Sequence, residues 1–202
     1  MEIWDAYDAK FNRIDGMSLV RGEPIPNGFF HLVSEIIVKH DDGSYLLMQR
    51  DKRKHLGGMW EATAGGSALQ GENPLDCAVR ELREETGISS DRLTEIGRVL
   101  HYGHRTIYVE YLCNTAIDKS SIVLQNGETS AYKWISVNDL RKMSKDELAT
   151  QRMQNFIEEL SCYPRLASPP LILMILFPLE IKQNRCPAKR VHRFWEEERR
   201  SE

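Results

Sequence analysis

Cysteine and unbalanced charge are both scarce in this chain of 202 residues. The four cysteines form no CxxC pair and no dense framework, which argues against a disulfide scaffold and predicts reduced thiols in a cytoplasmic protein. The net charge is only −3 and no basic patch dominates, so composition gives no support to binding a nucleic acid polymer.

Long apolar runs are scarce too. The run at residues 171–179 contains Pro178 and has about half the length that spans a bilayer. Residues 1–5 lack the basic and apolar regions of a signal peptide. We therefore expect a soluble protein with no membrane partner.

The turn and strand signals predict a mixed sheet covered by helices, an α+β fold. A hairpin is expected in residues 1–23, one helix is inserted between strands, and Ser144 with Glu147 opens a last amphipathic helix as a capping box. Main-sheet strands are predicted at residues 29–39, 45–50, 59–63, 94–101, 106–114 and 132–137.

The inserted helix is predicted over residues 74–86 by its caps. Asn73 is a favourable N-cap, Pro74 suits the first helical position, and Gly87 suits the left-handed residue beyond the end. The apolar positions recur at helical spacing and predict an inward face of Leu75, Ala78, Val79 and Leu82.

Three carboxylates share another face of this helix, namely Glu81, Glu84 and Glu85. Like charges at this spacing repel, and the C-terminal half of a helix disfavours anions. A cluster of charges that destabilises its own helix usually marks a functional site rather than a solvated surface. Hard oxygen ligands without thiolate or imidazole favour Mg²⁺, with Mn²⁺ as a second choice, over Zn²⁺.

Residues 66–88 read GSALQGENPLDCAVRELREETGI. This segment resembles the signature of the Nudix hydrolases, which is Gly, five residues, Glu, seven residues, then Arg-Glu-Leu-x-Glu-Glu-x-Gly-Ile. The resemblance covers roughly residues 1–160. It implies an α/β/α sandwich with a mixed sheet, and an enzyme that uses a divalent cation to hydrolyse a diphosphate linkage.

The resemblance also implies roles for individual residues. Arg80 is expected to pair with and orient the carboxylates, and Glu72 to support the metal directly or through water. The general base is either Glu81 or Glu128, which lies in a polar loop before the last strand. The metal ligands implied are Glu81, Glu84, Glu85 and the backbone carbonyl of Gly66 or its neighbour Gly65.

Substrate contacts have weaker signals. Arg50 ends a strand at a charged loop, where a guanidinium could hold a phosphate bidentately. Phe30 and Trp60 are candidates for stacking on a base. The small-molecule substrate expected from the resemblance is a nucleoside diphosphate linked to a further group.

Two other functions compete with hydrolysis. Residues 4–16 and 55–60 resemble the front of the isopentenyl diphosphate isomerases, but residues 62–68 read ATAGGSA, without the Cys and His that those enzymes carry there. The other alternative is a ligand-sensing domain that has lost activity, and the intact set of three glutamates argues against it.

The domain boundary is expected near residue 160. Residues 161–202 form a C-terminal extension of Pro-rich, apolar and charged segments. The sequence leaves open whether this extension is an added packing element, a contact of a homodimer or a poorly ordered tail.

Overall fold

The computed structural model describes residues 1–150. It opens with an antiparallel hairpin of β1 (Ile3–Tyr7) and β2 (Arg13–Val20), in which Ile3 pairs with Val20. Alternate residues point to the same side of a strand. Trp4, Ala6 and Leu19 consequently form a small buried cluster of their own, and the hairpin expected in residues 1–23 is confirmed.

Within residues 1–150, seven strands form the main sheet, namely β3 (His31–His40), β4 (Tyr45–Arg50), β5 (Trp60–Glu61), β6 (Thr63–Ser67), β7 (Leu93–His101), β8 (Thr106–Thr115) and β9 (Thr129–Ile135). The pairing is mixed as predicted, because β3 and β8 are parallel whereas the remaining pairs are antiparallel. β3 pairs with β6 and β8, and β4 pairs with β5 and β9.

The main helix, α1 (Pro74–Thr86), has the predicted bounds. The side chain of Asn73 accepts a hydrogen bond from the Asp76 N–H at 2.9 Å, and Gly87 follows with a φ of 75°. Its buried residues include Cys77, Ala78 and Leu82. Leu75 was predicted to face inward and is instead 39% exposed. Helical side chains lean toward the N-terminus, so this first-turn residue points past the helix start.

The central strand β3 connects the two sides of the sheet. Leu32, Ile36 and Val38 belong to the core under α1, whereas Ile37 belongs to the core on the opposite side. Ser34 is fully buried on the α1 side, where its hydroxyl donates to the Pro74 carbonyl at 2.7 Å. This bond joins the start of α1 to the middle of the sheet.

The opposite side of the sheet is covered by α2 (Val137–Leu140) and the residues after it, including buried Leu148. Ser144 is followed by a short 3-10 helix, Lys145–Glu147, and not by the predicted α-helix. The Ser144 N–H donates to the Glu147 carboxylate at 2.9 Å. The later part of the predicted helix lies outside the described residues. Within residues 1–150, no helix is long and apolar enough to cross a membrane.

Candidate active site

The carboxylates of α1 lie against the glycine segment of β6. The Gly65 N–H donates to Oε2 of Glu85 at 3.1 Å. A Cβ atom on Gly66 would lie 2.6 Å from the carboxyl carbon of Glu81, so any other residue there would displace this carboxylate from its position. β6, the strand that carries these glycines, pairs with β3, and Gly65 lies opposite Glu35. The site therefore depends on contact between a helix and a strand.

Burial disfavours the ionised form of the Glu81 and Glu85 carboxylates. It raises the pKa of Glu85 to about 8, and the nearby charges of Glu81 and Glu61 act in the same direction. Burial also raises the pKa of Glu81, against the hydrogen bond from Arg80. Acidic groups crowded in a partly dry site favour either protonation or a bound cation.

Arg80 joins the upstream glutamate to the helix carboxylates. Its guanidinium donates to both oxygens of Glu72, at 2.7 and 2.9 Å, and to Glu81 at 2.6 Å. It also donates to Glu84 at 3.3 Å and to the Ser67 carbonyl at 3.1 Å. The hydrogen bond from Arg80 lowers the pKa of Glu72. Arg80 thereby sets the positions of three of the glutamates in the family signature.

Two cation–anion pairs lie near this acidic face. Arg50 at the end of β4 pairs with Glu61 of β5, and Lys54 pairs with Glu128. The loop carrying Lys54 is also bonded to the Glu128 backbone, because the Asp51 N–H donates to the Glu128 carbonyl at 2.9 Å. Glu61 raises the pKa of Glu85 and Lys54 lowers it, so one member of each pair acts electrostatically on Glu85.

The chemistry of the donors fits a hard divalent cation. The available atoms are carboxylate oxygens of α1 and backbone carbonyls of the glycine segment, with no thiolate or imidazole among them. In residues 1–150, no three His, Cys, Asp or Glu side chains converge on a metal position. Glu81 and Glu84 are both paired with Arg80. The Gly66 carbonyl accepts a contact from the Cys77 thiol at 3.4 Å.

The predicted stacking residues have different environments. Phe30 is only 3% exposed and packs in the main core, with Tyr102 edge-on to its ring at 5.7 Å. Trp60 is partly buried, and the Lys133 ammonium lies 4.2 Å from its ring centre. The structure thus assigns Phe30 to the core and leaves Trp60 partly buried beside a cation.

Glu61 is the site residue that sequence reasoning missed. It follows Trp60 in a strand of two residues, and no motif spacing relates it to α1. The pairing of Met48 with Glu61 brings it beside the end of β4, where Arg50 contacts it. The only signal in the sequence was an acidic residue just before the glycine segment.

Comparison with known proteins agrees with this geometry. The NUDIX domain family model matches residues 30–160, so the chain belongs to the Nudix family. An uncharacterized Nudix hydrolase of Listeria monocytogenes is 29% identical over 144 residues, which cover 71% of this chain and 85% of the relative. The chain is a Nudix hydrolase, and members of this family generally use divalent metal ions.

Two further comparisons bear on fold and subgroup. The crystal structure of DR0079 from Deinococcus radiodurans matches with a TM-score of 0.63 and 16% identity, covering 80% of this chain and 99% of that one. An isopentenyl-diphosphate Delta-isomerase of Streptomyces avermitilis is 36% identical over 80 residues, covering 39% of this chain and 40% of the relative. The first supports the fold, and the second is a similarity to less than half of an isomerase.

Proposed function

We propose that the protein is a Mg²⁺-dependent hydrolase that cleaves the diphosphate linkage of a nucleoside diphosphate derivative. The observation that carries the proposal is the packing of Glu81 and Glu85 against Gly65 and Gly66, with both carboxylate pKa values raised. Such a site gains stability when a cation replaces the proton.

Each part of the site has a role in this reaction. Glu81, Glu84, Glu85 and the Gly66 carbonyl would hold the cation. When bound, the cation neutralises charge on the transferring phosphoryl group and lowers the pKa of a coordinated water. The chain itself supplies a carboxylate, Glu81 or Glu128, to take the proton from the attacking water.

The two ion pairs support binding of a diphosphate. Arg50 and Lys54 are cations already placed near the acidic face, and each is neutralised by a carboxylate, Glu61 and Glu128 respectively. Phosphate oxygens of a substrate can replace these carboxylates as partners of Arg50 and Lys54 through charge-assisted hydrogen bonds. Exchange of Lys54 from Glu128 to the substrate would also free Glu128 as a base.

A substrate panel tests the proposal. Nucleoside tri- and diphosphates, nucleotide sugars, dinucleoside polyphosphates and prenyl diphosphates are incubated with Mg²⁺, and products are followed by ³¹P NMR. We expect a phosphorylated product from a nucleoside diphosphate derivative, and loss of most turnover in Glu84→Gln. Glu95→Gln is the matched control, because Glu95 has similar exposure and also pairs with an arginine, Arg98.

The panel contradicts the proposal if no phosphoanhydride is cleaved, or if Glu84→Gln and Glu95→Gln retain equal turnover. Complete dependence on added metal is also expected, so unchanged hydrolysis in excess EDTA would count against it. The comparison of variants isolates the site because both changes remove one negative charge.

Isomerisation of isopentenyl diphosphate is the second candidate, favoured by the partial match to a bacterial isomerase. Residues 62–68 offer only alanine, threonine, glycine and serine side chains where that chemistry needs an acid and a base. We therefore expect no dimethylallyl isomer when the protein is incubated with isopentenyl diphosphate and Mg²⁺. Its appearance by NMR at an enzymatic rate would replace the hydrolase proposal.

A further inference from the structure

The N-terminal hairpin precedes the family match, which begins at residue 30, yet it is bonded to the loop before α1. The Gly71 N–H donates to the Asp5 carboxylate at 2.9 Å. The Gln70 N–H donates to the Ile3 carbonyl at 2.9 Å, and the Gln70 amide donates to the Ser18 hydroxyl at 2.7 Å. Both strands of the hairpin therefore hold this loop.

The same loop holds the arginine of the site. Glu72 directly follows Gly71, and its carboxylate accepts from the Leu69 N–H at 2.8 Å and from Arg80 through both oxygens. Arg80 in turn donates to Glu81. Hydrogen bonds and the peptide link between Gly71 and Glu72 thus connect β1 to the carboxylate face of α1.

Asp5 is the charged member of this series on the hairpin. Its side chain is only 12% exposed, with Arg13 at 3.5 Å as its ion partner. Gly71 has a φ of 86° and no side chain of its own to fix the turn. The Asp5 carboxylate supplies that restraint by accepting the Gly71 N–H, which fixes the backbone beside Glu72.

We propose that Asp5 is a positioning residue of the metal site, acting through Gly71 and Glu72 on Arg80 and the helix carboxylates. The inference rests on the proposed function and adds a part of the chain that lies before the family match. Residues that hydrogen-bond directly to metal ligands typically change metal affinity by about 10- to 100-fold when removed, and Asp5 acts through further contacts, so an effect at the lower end of this range is expected. The expected effect is on metal affinity and not on the fold of the main sheet.

The test compares Asp5→Ala with Asp5→Asn and Arg13→Ala in the full chain. Asp5→Asn keeps an oxygen that can accept the Gly71 N–H, and Arg13→Ala removes the ion partner while keeping that hydrogen bond. Mg²⁺ is titrated against the rise in melting temperature over an EDTA baseline, and separately against hydrolysis. The readout is the Mg²⁺ concentration at half of each response.

We expect Asp5→Ala to raise both midpoints about 10-fold, and Asp5→Asn and Arg13→Ala to stay near the wild type. If Asp5→Ala does not fold, Asp5→Glu keeps the charge but displaces the acceptor, and it should raise the midpoints in the same direction. Unchanged midpoints beside a normal wild-type response overturn the inference alone. So does an equal rise in Arg13→Ala. Absence of any Mg²⁺ response in the wild type overturns the proposed function and the inference with it.

Discussion

Replacement of Glu85 by glutamine should stabilise the metal-free protein at neutral pH. Glutamine has nearly the same shape, and its side-chain oxygen can still accept the Gly65 N–H that Glu85 accepts at 3.1 Å. The substitution removes only the charge that burial opposes. Its effect on the free energy of unfolding therefore measures how far the site disfavours an anion in the absence of a cation.

The magnitude follows from the pKa of Glu85, which rises from 4.5 to about 8 on folding. One pKa unit corresponds to about 1.4 kcal/mol. At pH 7 the unfolded chain ionises this group while the folded chain must protonate it, which lowers the free energy of unfolding by about 3 kcal/mol at most. The side chain is partly exposed, so an effect of about 1–3 kcal/mol is expected.

The pH dependence has a definite sign. A raised pKa in the folded state means that the contribution of Glu85 is most favourable below pH 4.5 and is lost as pH rises toward 8. In EDTA, the wild type should therefore lose stability relative to Glu85→Gln between pH 5 and pH 7.5. With millimolar Mg²⁺ the order should reverse at pH 7.5, because binding to the native state alone adds stability.

The free energy of unfolding of each protein is measured by urea unfolding under four conditions, which are pH 5 and pH 7.5, each with EDTA or with Mg²⁺. Glu95→Gln is again the control, since it removes an exposed carboxylate charge on β7 that pairs with Arg98 and not with a residue of α1. Equal stability of the wild type and Glu85→Gln at pH 7.5 in EDTA would refute the buried-anion argument. An equal Mg²⁺ response in both would place the metal elsewhere.

Two other predictions concern the base and the C-terminal extension. If Glu128 is the base, Glu128→Gln should lower kcat at least about 100-fold with the Mg²⁺ midpoint unchanged. A kcat near that of the wild type would favour Glu81. Truncation after residue 160 should leave the Mg²⁺ midpoint unchanged while lowering the melting temperature or changing the oligomeric state on size exclusion, because every proposed catalytic residue lies upstream. Loss of the metal response in a folded truncated protein would contradict this.

Local signals in the sequence were sufficient for α1 and its carboxylate face. Asn73 and Gly87 cap the helix through atoms only a few residues away, so the bounds of α1 follow from short-range chemistry. The relative placement of Glu81, Glu84 and Glu85 follows from helical periodicity alone. The N-terminal hairpin is likewise joined by a short turn, and it was predicted.

The surroundings of that face depend on contacts between distant parts of the chain. Glu61 reaches the site through pairing of β5 with β4, and Lys54 meets Glu128 across 74 positions of sequence. Asp5 reaches Gly71 across 66 positions. No periodicity or capping rule relates residues so far apart, because their distance is set by sheet order and strand register. The sequence determines which groups share the carboxylate face of α1, and the tertiary structure decides which cations and carboxylates surround that face.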